Sequence, residues 1–447
     1  MDMGAGVSHS CGDNGETSTA AKEAGVPGGA ILGADMAAGP ELSDLKRGWP
    51  ANDCLSEAIT VIPDRLYWLG LRAGDPKPVS TKSVHFLCTD ESPLFAYEPF
   101  NFDFGPVNLG ATYRYCMILA ARLQDPTQAD IRIVHYTSAD PKHRANSVYL
   151  VCAYMVIVLR RSPEKAWAPF ACLEPALLPF RDASGNVKSD FDLSVLDCMH
   201  GLETSIRLGF FDWRQFNVDI YDYYDKPENG DLKWVLPGKI LAFAGPYATS
   251  IDKHGFVTWR PEDYAPLFTR SGVSLVIRLN KKTYDAKGFT DAGLKHVDLY
   301  FRDGSCPPPK IVVNFLDIVG REAGRIAVHC KAGLGRTGTL IGLYAMQHYG
   351  FTAKGFIGWS RICRPGCVLG PQQRWLEEMQ APMFQQGALM RGPPPKVALN
   401  ERMAALLEEM QRLGLGVHYA KSQSMQSMDL GQGEKLCEAK RFHSLPL

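Results

Sequence analysis

The chain has 447 residues, 45% of them hydrophobic, and its 48 lysines and arginines balance 48 aspartates and glutamates. That length exceeds one ordinary domain and predicts two domains plus tails, each able to bury a core. The even charge excludes a general polyanion binder, so no nucleic-acid partner is expected and any basic site must be local.

Residues 1–55 are rich in Gly, Ala and Ser without periodicity and read as disordered. The N-terminus "MDMGAGVSHSCGDNGETS" has neither a basic start nor an apolar core, so no secretory leader is read there. The 12 cysteines are scattered, with no CxxC pair and no zinc-type spacing, which suits free thiols in a reducing intracellular compartment. Next comes "ITVIPDRLYWLGL" (59–71): apolar residues, a Pro-led break, then a strand-like run. "IRIVHYTSADPKHRANSVYLVCAYMVIVL" (131–159) follows as a β-rich run ending in Val-His, a loop, and an apolar helix. Its apolar stretch 148–159 ends at Arg160-Arg161, too short to cross a bilayer, so a buried helix and a soluble protein without membrane insertion are expected.

After an acidic stretch, "NVDIYDYYDKPENGD" (217–231), the same pattern returns. "KWVLPGKILAFAG" (233–245) echoes the first run, and "GRIAVHCKAGLGRTGTLIGLYAMQHY" (324–349) echoes the second. Two related α/β domains in tandem explain the echo: 56–205, a linker at 206–231, and 232–390. A boundary at "RGPPPK" opens a tail, 391–447, in which 399–415 can form one amphipathic helix through Met403, Leu406, Leu407, Met410 and Leu413. The rest, with "SQSMQSM", reads as loose.

The loop "AVHCKAGLGRTGTL" (327–340) carries the chemistry and admits two readings. Gly333, Gly335 and Gly338 spell G-x-G-x-x-G, a dinucleotide fingerprint. That reading needs an acidic residue ending a second strand about 20 positions on. No Asp or Glu occurs from Thr337 to Leu376, the first being Glu377, and Arg361 at a suitable distance lacks the strand. The second reading, His329-Cys330-x5-Arg336, uses every residue. "RIAVH" (325–329) is a buried strand, and Lys331, Ala332, Gly333, Leu334 and Gly335 curl so that backbone amides form an anion nest. A helix near Gly338 adds its positive end, and Arg336 supplies a planar fork for two phosphoryl oxygens. A thiol in that field should ionise below its free value of about 8.5, leaving Cys330 a thiolate aimed at phosphorus. Asp303, in the loop of "LYFRDGSCPPP" ahead of a predicted helix (309–320), can protonate the leaving group and then serve as base for water. "GPQQ" (370–373) offers amides to orient that water. No metal or cofactor is required.

"PDRLYW", "HYTSADPKHRANS", "FTDAGLKHVDLYFRDGS", "VHCKAGLGRTGTLIGLYAMQHYG" and "RICRPGCVLGPQQ" together resemble the cell division cycle 14 phosphatases, from about residue 57 to 385. The resemblance implies two tandem dual-specificity-phosphatase-like domains, each a mostly parallel sheet flanked by helices, joined by a linker helix. Only the second would be active. Tyr136 stands where the first domain's nucleophile would be, with Lys142 rather than Arg144 six residues on. The resemblance makes Cys330 the nucleophile, Arg336 the clamp and Asp303 the acid. Thr337 would bond the sulfur, and Gln372 or Gln373 would hold the water. It also puts the acidic linker beside the cleft. Asp222 and Asp225, sharing a helix face, would then select phospho-Ser-Pro peptides with a downstream Lys or Arg. An intracellular setting, nuclear or cytoplasmic, and a cell-division role opposing proline-directed kinases are implied too. Arg302 and Cys306 depart from the family pattern, and Cys306 is either a redox partner of Cys330 or a filler thiol. Two alternatives stand. One is an inositol-lipid phosphatase, against which Leu334 replaces a second lysine. The other is a phosphoprotein-binding scaffold without turnover, against which Cys330, Arg336 and Asp303 are intact.

Overall fold

The computed structural model describes residues 57–185, 189–391, the helical positions 406, 408, 410 and 412, and 432–443. The disorder expected of 1–55 and the loose "SQSMQSM" stretch lie outside these residues. Strands β1 (Ile59–Ile62) and β2 (Leu66–Gly70) form an antiparallel hairpin around the Pro63-Asp64 break, with an irregular register between Thr60 and Ile62. β3 (Val84–Cys88) follows, then helix α1 (Leu109–Gln124) and strand β4 (Arg132–Thr137). The sheet order is β1-β2-β4-β3, with β4 parallel to both neighbours. Helix α2 (Pro141–Ile157) starts where Asp140 accepts hydrogen bonds from the amides of Lys142 and His143 and Pro141 presets the first turn. It is buried along nearly its whole length, as its apolar run predicts.

Helix α3 (Val195–Arg207) closes this half and the short helix α4 (Val218–Tyr223) leads out of it. The second half repeats the scheme: hairpin β5 (Leu232–Leu236) and β6 (Ile240–Phe243), helix α5 (Pro261–Arg270), and strands β7 (Val273–Arg278) and β8 (Lys295–Asp298). Helix α6 (Pro309–Arg321) and strand β9 (Arg325–His329) complete it. The order β5-β6-β9-β7-β8 differs from the first sheet only by the added edge strand, and both hairpins share an irregular register at the same place. The echo in the sequence is therefore a repeat of topology. A central parallel strand needs both faces covered, which helices α7 (Gly335–Tyr344), α8 (Ala353–Cys363) and α9 (Gln372–Arg391) help provide. Helix α8 also packs on α3 so closely that a Cβ on Gly201 would lie 2.0 Å from the carbonyl oxygen of Gly355. One apolar core, including Tyr149 and Met199 on one side and Phe356 and Trp359 on the other, runs through both halves.

Two expectations need correction. Asp222 and Asp225 do not share a helix face, because α4 ends at Tyr223 and Asp225 lies in the following turn. Pro227 disfavours the helical conformation for Lys226 and stops the helix early. The tail also holds more order than one helix. Leu406, Glu408, Met410 and Arg412 are helical, with Leu406 and Met410 buried in the main core as their spacing predicts, while Met403, Leu407 and Leu413 lie outside the described residues. A second helix, α10 (Gln432–His443), stands where the sequence reads as loose. Its residues lack an apolar stripe, and separate contacts with the linker and both halves hold it in place. Among the described residues no helix is long and apolar enough to cross a membrane.

Candidate active site

Strand β9 delivers His329 and Cys330 to the centre of the second sheet, and the chain turns through Lys331, Ala332, Gly333 and Leu334 into α7 at Gly335. Gly333 adopts φ 68°, and a Cβ there would sit 2.0 Å from the Phe243 carbonyl oxygen, so glycine alone fits. The carbonyls of Ala332 and Gly333 turn outward and accept from Nη2 and Nε of Arg364 at 2.8 and 3.0 Å. Carbonyls committed to the outside leave the loop's amides for an anion within. Arg364 is wholly buried and also donates from Nη1 to the Asp231 carbonyl at 3.0 Å and carboxylate at 2.7 Å. Burial alone would raise the Asp231 pKa, but Arg364 and Lys440 outweigh it and hold the carboxyl below its usual range.

Cys330 is 3% exposed at the bottom of the loop. The His329 Nδ1 lies 2.9 Å from the Cys330 carbonyl and its Nε2 lies 2.7 Å from the Tyr284 hydroxyl. Burial pushes His329 down to about 3, so its ring is neutral near pH 7 and carries one N–H. That proton belongs on Nδ1, facing the carbonyl, which leaves Nε2 to accept from Tyr284. Since the Tyr284 oxygen is 2.9 Å from the His296 Nε2, His296 must donate to it.

Arg336 is anchored by its Nη1, which donates to Phe301 O at 3.1 Å and Leu279 O at 3.4 Å. Its Nε lies 3.1 Å from Asp303 Oδ1, so the predicted clamp and the predicted acid meet over the loop. The Thr337 hydroxyl is buried and has no hydrogen-bond partner among the described residues. The two glutamines differ. Gln372 accepts from the Leu369 amide at 3.2 Å and donates to Ser305 O at 3.0 Å, and its Oε1 lies 2.9 Å from where a Cβ on Gly335 would be. Gln373 instead accepts from Arg361 at 2.5 Å and donates to Gly370 O at 3.2 Å. Gln372 thus borders both the loop and the Asp303 segment. Burial pushes the Cys306 thiol up to about 12, with Glu378 adding to it, which suits a filler role.

The acidic linker is divided. Asp222 is ion-paired with Arg114 from the first half, whereas Asp225 lies 3.4 Å from Lys233 and 3.3 Å from Lys440. Both line a cavity of about 330 Å³ together with Tyr97, Glu98, Phe100 and Pro365. Lys440 also reaches Asp231 at 2.6 Å, so the structure joins Asp225 to Asp231 rather than to Asp222. The first half touches the site directly: Asp182 accepts from the Gly370 amide at 2.7 Å, and Phe100 packs on the cluster of Ala332, Leu334 and Leu369. At the end of β4, next to Tyr136, the Asp90 carboxylate accepts from the Thr137 hydroxyl at 3.0 Å and the Ser138 amide at 2.7 Å. Sequence reasoning missed Arg364, Asp231 as its partner, and Tyr284. The signal for Arg364 was an arginine ending an apolar helix. Among the described residues no cluster of His, Cys, Asp or Glu is arranged to hold a metal.

A family profile described as "Dual specificity protein phosphatase, N-terminal half" matches residues 60–205, and one described as "Polymorphic toxin system, DSP-PTPase phosphatase" matches 254–349. The dual specificity protein phosphatase CDC14AB of Danio rerio is 46% identical over 407 residues, 88% of this chain and 65% of that protein. Human CDC14A is 45% identical over 83% of this chain and 61% of its own length, and human CDC14C is 43% identical over 78% and 76%. The chain thus spans less than two thirds of the first two relatives.

Proposed function

The chain belongs to the CDC14 family of dual specificity protein phosphatases, and from that premise we propose that it hydrolyses phosphoserine, phosphothreonine and phosphotyrosine esters through a phosphocysteine. The observation that carries this reading is the meeting of Arg336 and Asp303, 3.1 Å apart, above the loop that cups Cys330. In the first step the Cys330 thiolate attacks phosphorus and the ester bond to the leaving oxygen breaks. Arg336 and the loop amides hold the equatorial oxygens. Asp303, displaced from Arg336 by the incoming phosphoryl group, gives its proton to the leaving alkoxide or phenoxide. In the second step Asp303, now a carboxylate, takes a proton from water as that water attacks phosphorus and the thiolate leaves. Gln372 holds the water, a role supported by its contact with the loop, and Thr337 offers its unpaired hydroxyl to the sulfur. No metal takes part.

The substrate is a protein phosphorylated on Ser or Thr before Pro, with a basic residue downstream. Asp225 and Asp231 read that residue, as the amine of Lys440 between them suggests. Residues 56–205 act as a binding and bracing domain without turnover, residues 232–390 as the catalytic domain. We place the protein inside the cell, in nucleus or cytoplasm, opposing proline-directed kinases in cell division. Phosphate release from matched phospho-Ser-Pro and phospho-Ser-Ala peptides, with Cys330→Ser as control, tests the reading. Equal rates on both peptides would remove the proline preference, and activity surviving Cys330→Ser would remove the mechanism.

A further inference from the structure

Helix α10 lies across the mouth of the loop. The Gly433 amide donates to Asp303 Oδ2 at 3.1 Å, and Glu434 is 2.9 Å from Lys331 Nζ. Leu436, 2% exposed, is buried in the apolar cluster of Ala332, Leu334, Cys367 and Leu369 beside the loop. The approach is tight enough to require glycine: a Cβ on Gly433 would meet the Lys331 Cβ at 2.8 Å and Asp303 Oδ2 at 3.0 Å.

The far end of the helix carries two adjacent cations into two separate carboxylate sites. Lys440 sits between Asp225 and Asp231. Arg441 is ion-paired with Asp252, whose side chain is only 7% exposed. Asp252 is preset for a cation, because the His254 and Phe256 amides, at 2.9 and 3.0 Å, fix one carboxylate oxygen while the other faces Arg441. The Arg441 guanidinium also lies 4.9 Å from the Tyr247 ring centre and 6.0 Å from that of Phe256. A hydrogen-bonded carboxylate that holds its cation near two aromatic rings suits a planar guanidinium better than an ammonium.

We propose that Asp252, Tyr247 and Phe256 form an arginine subsite of the substrate cleft, next to the Asp225–Asp231 site, and that Gln432–His443 fills both as an internal competitor of substrate. The inference rests on the protein-phosphatase reading and extends it. A phosphopeptide with two neighbouring basic residues, the second an arginine, must displace the helix to reach Cys330. Charge alone would let any basic peptide compete, but the aromatic walls add a preference for arginine at one position.

The test uses the full-length chain. The double variant Lys440→Glu/Arg441→Glu sets like charges against Asp225, Asp231 and Asp252. It should lower KM for a phosphopeptide ending in Lys-Arg and, by opening the mouth, raise kcat/KM for a small aryl phosphate. Gly433→Val removes the helix sterically without touching its charges and should act in the same direction. Adding Asp252→Asn to the double variant should raise KM about tenfold for the Lys-Arg peptide, the loss of one charge-assisted bond, and much less for a Lys-Gln peptide. If neither the double variant nor Gly433→Val changes turnover of any substrate, the helix is no competitor and the proposal falls. It falls equally if Asp252→Asn affects both peptides alike. Binding of the two peptides to the Cys330→Ser chain separates this from the reading beneath it. Arginine-dependent binding without turnover by the wild type would keep the subsite and overturn the phosphatase reading.

Discussion

Replacing Arg364 by lysine keeps the charge and removes the fork. In the structure one guanidinium makes four bonds, to the carbonyls of Ala332, Gly333 and Asp231 and to the Asp231 carboxylate. A lysine amine can keep the charge-assisted bond to Asp231 and lacks the geometry for the two loop carbonyls. Each buried carbonyl left without a donor costs about 1–3 kcal/mol. Two such losses give roughly 2–6 kcal/mol, a large part of the 5–15 kcal/mol typical of a folded protein. Part of that cost should appear as a looser nest. If about 2 kcal/mol is lost from transition-state binding, kcat/KM for a small aryl phosphate falls about thirtyfold. Inorganic phosphate should become a weaker inhibitor in parallel. Thermal unfolding and phosphate release measured on the same preparation check both halves. A lysine variant with wild-type kcat/KM and unchanged phosphate inhibition would show that the carbonyl contacts do not shape the loop, and the argument from Arg364 would be wrong.

Other outcomes follow from the same geometry. Asp303→Asn should slow phosphoserine peptides by about 10²–10⁴, since a serine alkoxide leaves poorly without a proton. An activated aryl phosphate should suffer far less, and equal losses on the two would take the acid role away from Asp303. Tyr284→Phe leaves the buried Nε2 of His329 without its donor and should cost about 1–3 kcal/mol in unfolding free energy; a change below half a kcal/mol would mean the hydroxyl is dispensable. Burial lowers His135 to about 4 and His329 to about 3. Both are neutral when folded and protonated when unfolded below pH 6.5. Their stabilisation is thus full above that pH and is lost as pH falls toward 4, with a slope of about 2.7 kcal/mol per pH unit for the pair. Chemical denaturation at stepped pH reads that slope, and a flat profile between 6 and 4 would contradict it.

What could be read from the sequence was set by local chemistry. Strand β9 and its loop were legible because an apolar run, a thiol, glycines and an arginine follow one another closely along the chain, so that the strand, the turn and the helix start are all set by local residues. The tandem halves were legible because a Pro-led hairpin and a Val-His strand end recur. The acidic linker was legible as charge and illegible as geometry. Helical spacing paired Asp222 with Asp225, yet the chain leaves the helix at Tyr224, Arg114 from the other half takes Asp222, and Lys440 joins Asp225 to Asp231. Each of those partners is remote in sequence.

The same distinction explains the tail and the limits of dividing the chain at residue 205. "QGEKLCEAKRFH" has no apolar stripe to announce a helix, because Leu436, Gly433 and three charged residues each fit a different feature of the rest of the fold. Sequence periodicity detects elements that bury one continuous face and overlooks elements held by several separate contacts. Helix α3 shows the converse. It belongs by sequence to the first half, but its Gly201 lies against Gly355 of α8, and Asp182 of the first half holds the Gly370 amide beside Gln372. A fragment ending at residue 205 would therefore expose the α3 face that α8 covers. The second half, without its partner, would lose a hydrogen bond to the segment carrying Gln372. The first half thus helps fix the position of that segment through Asp182, which ties the geometry around Gln372 to a residue of the other half.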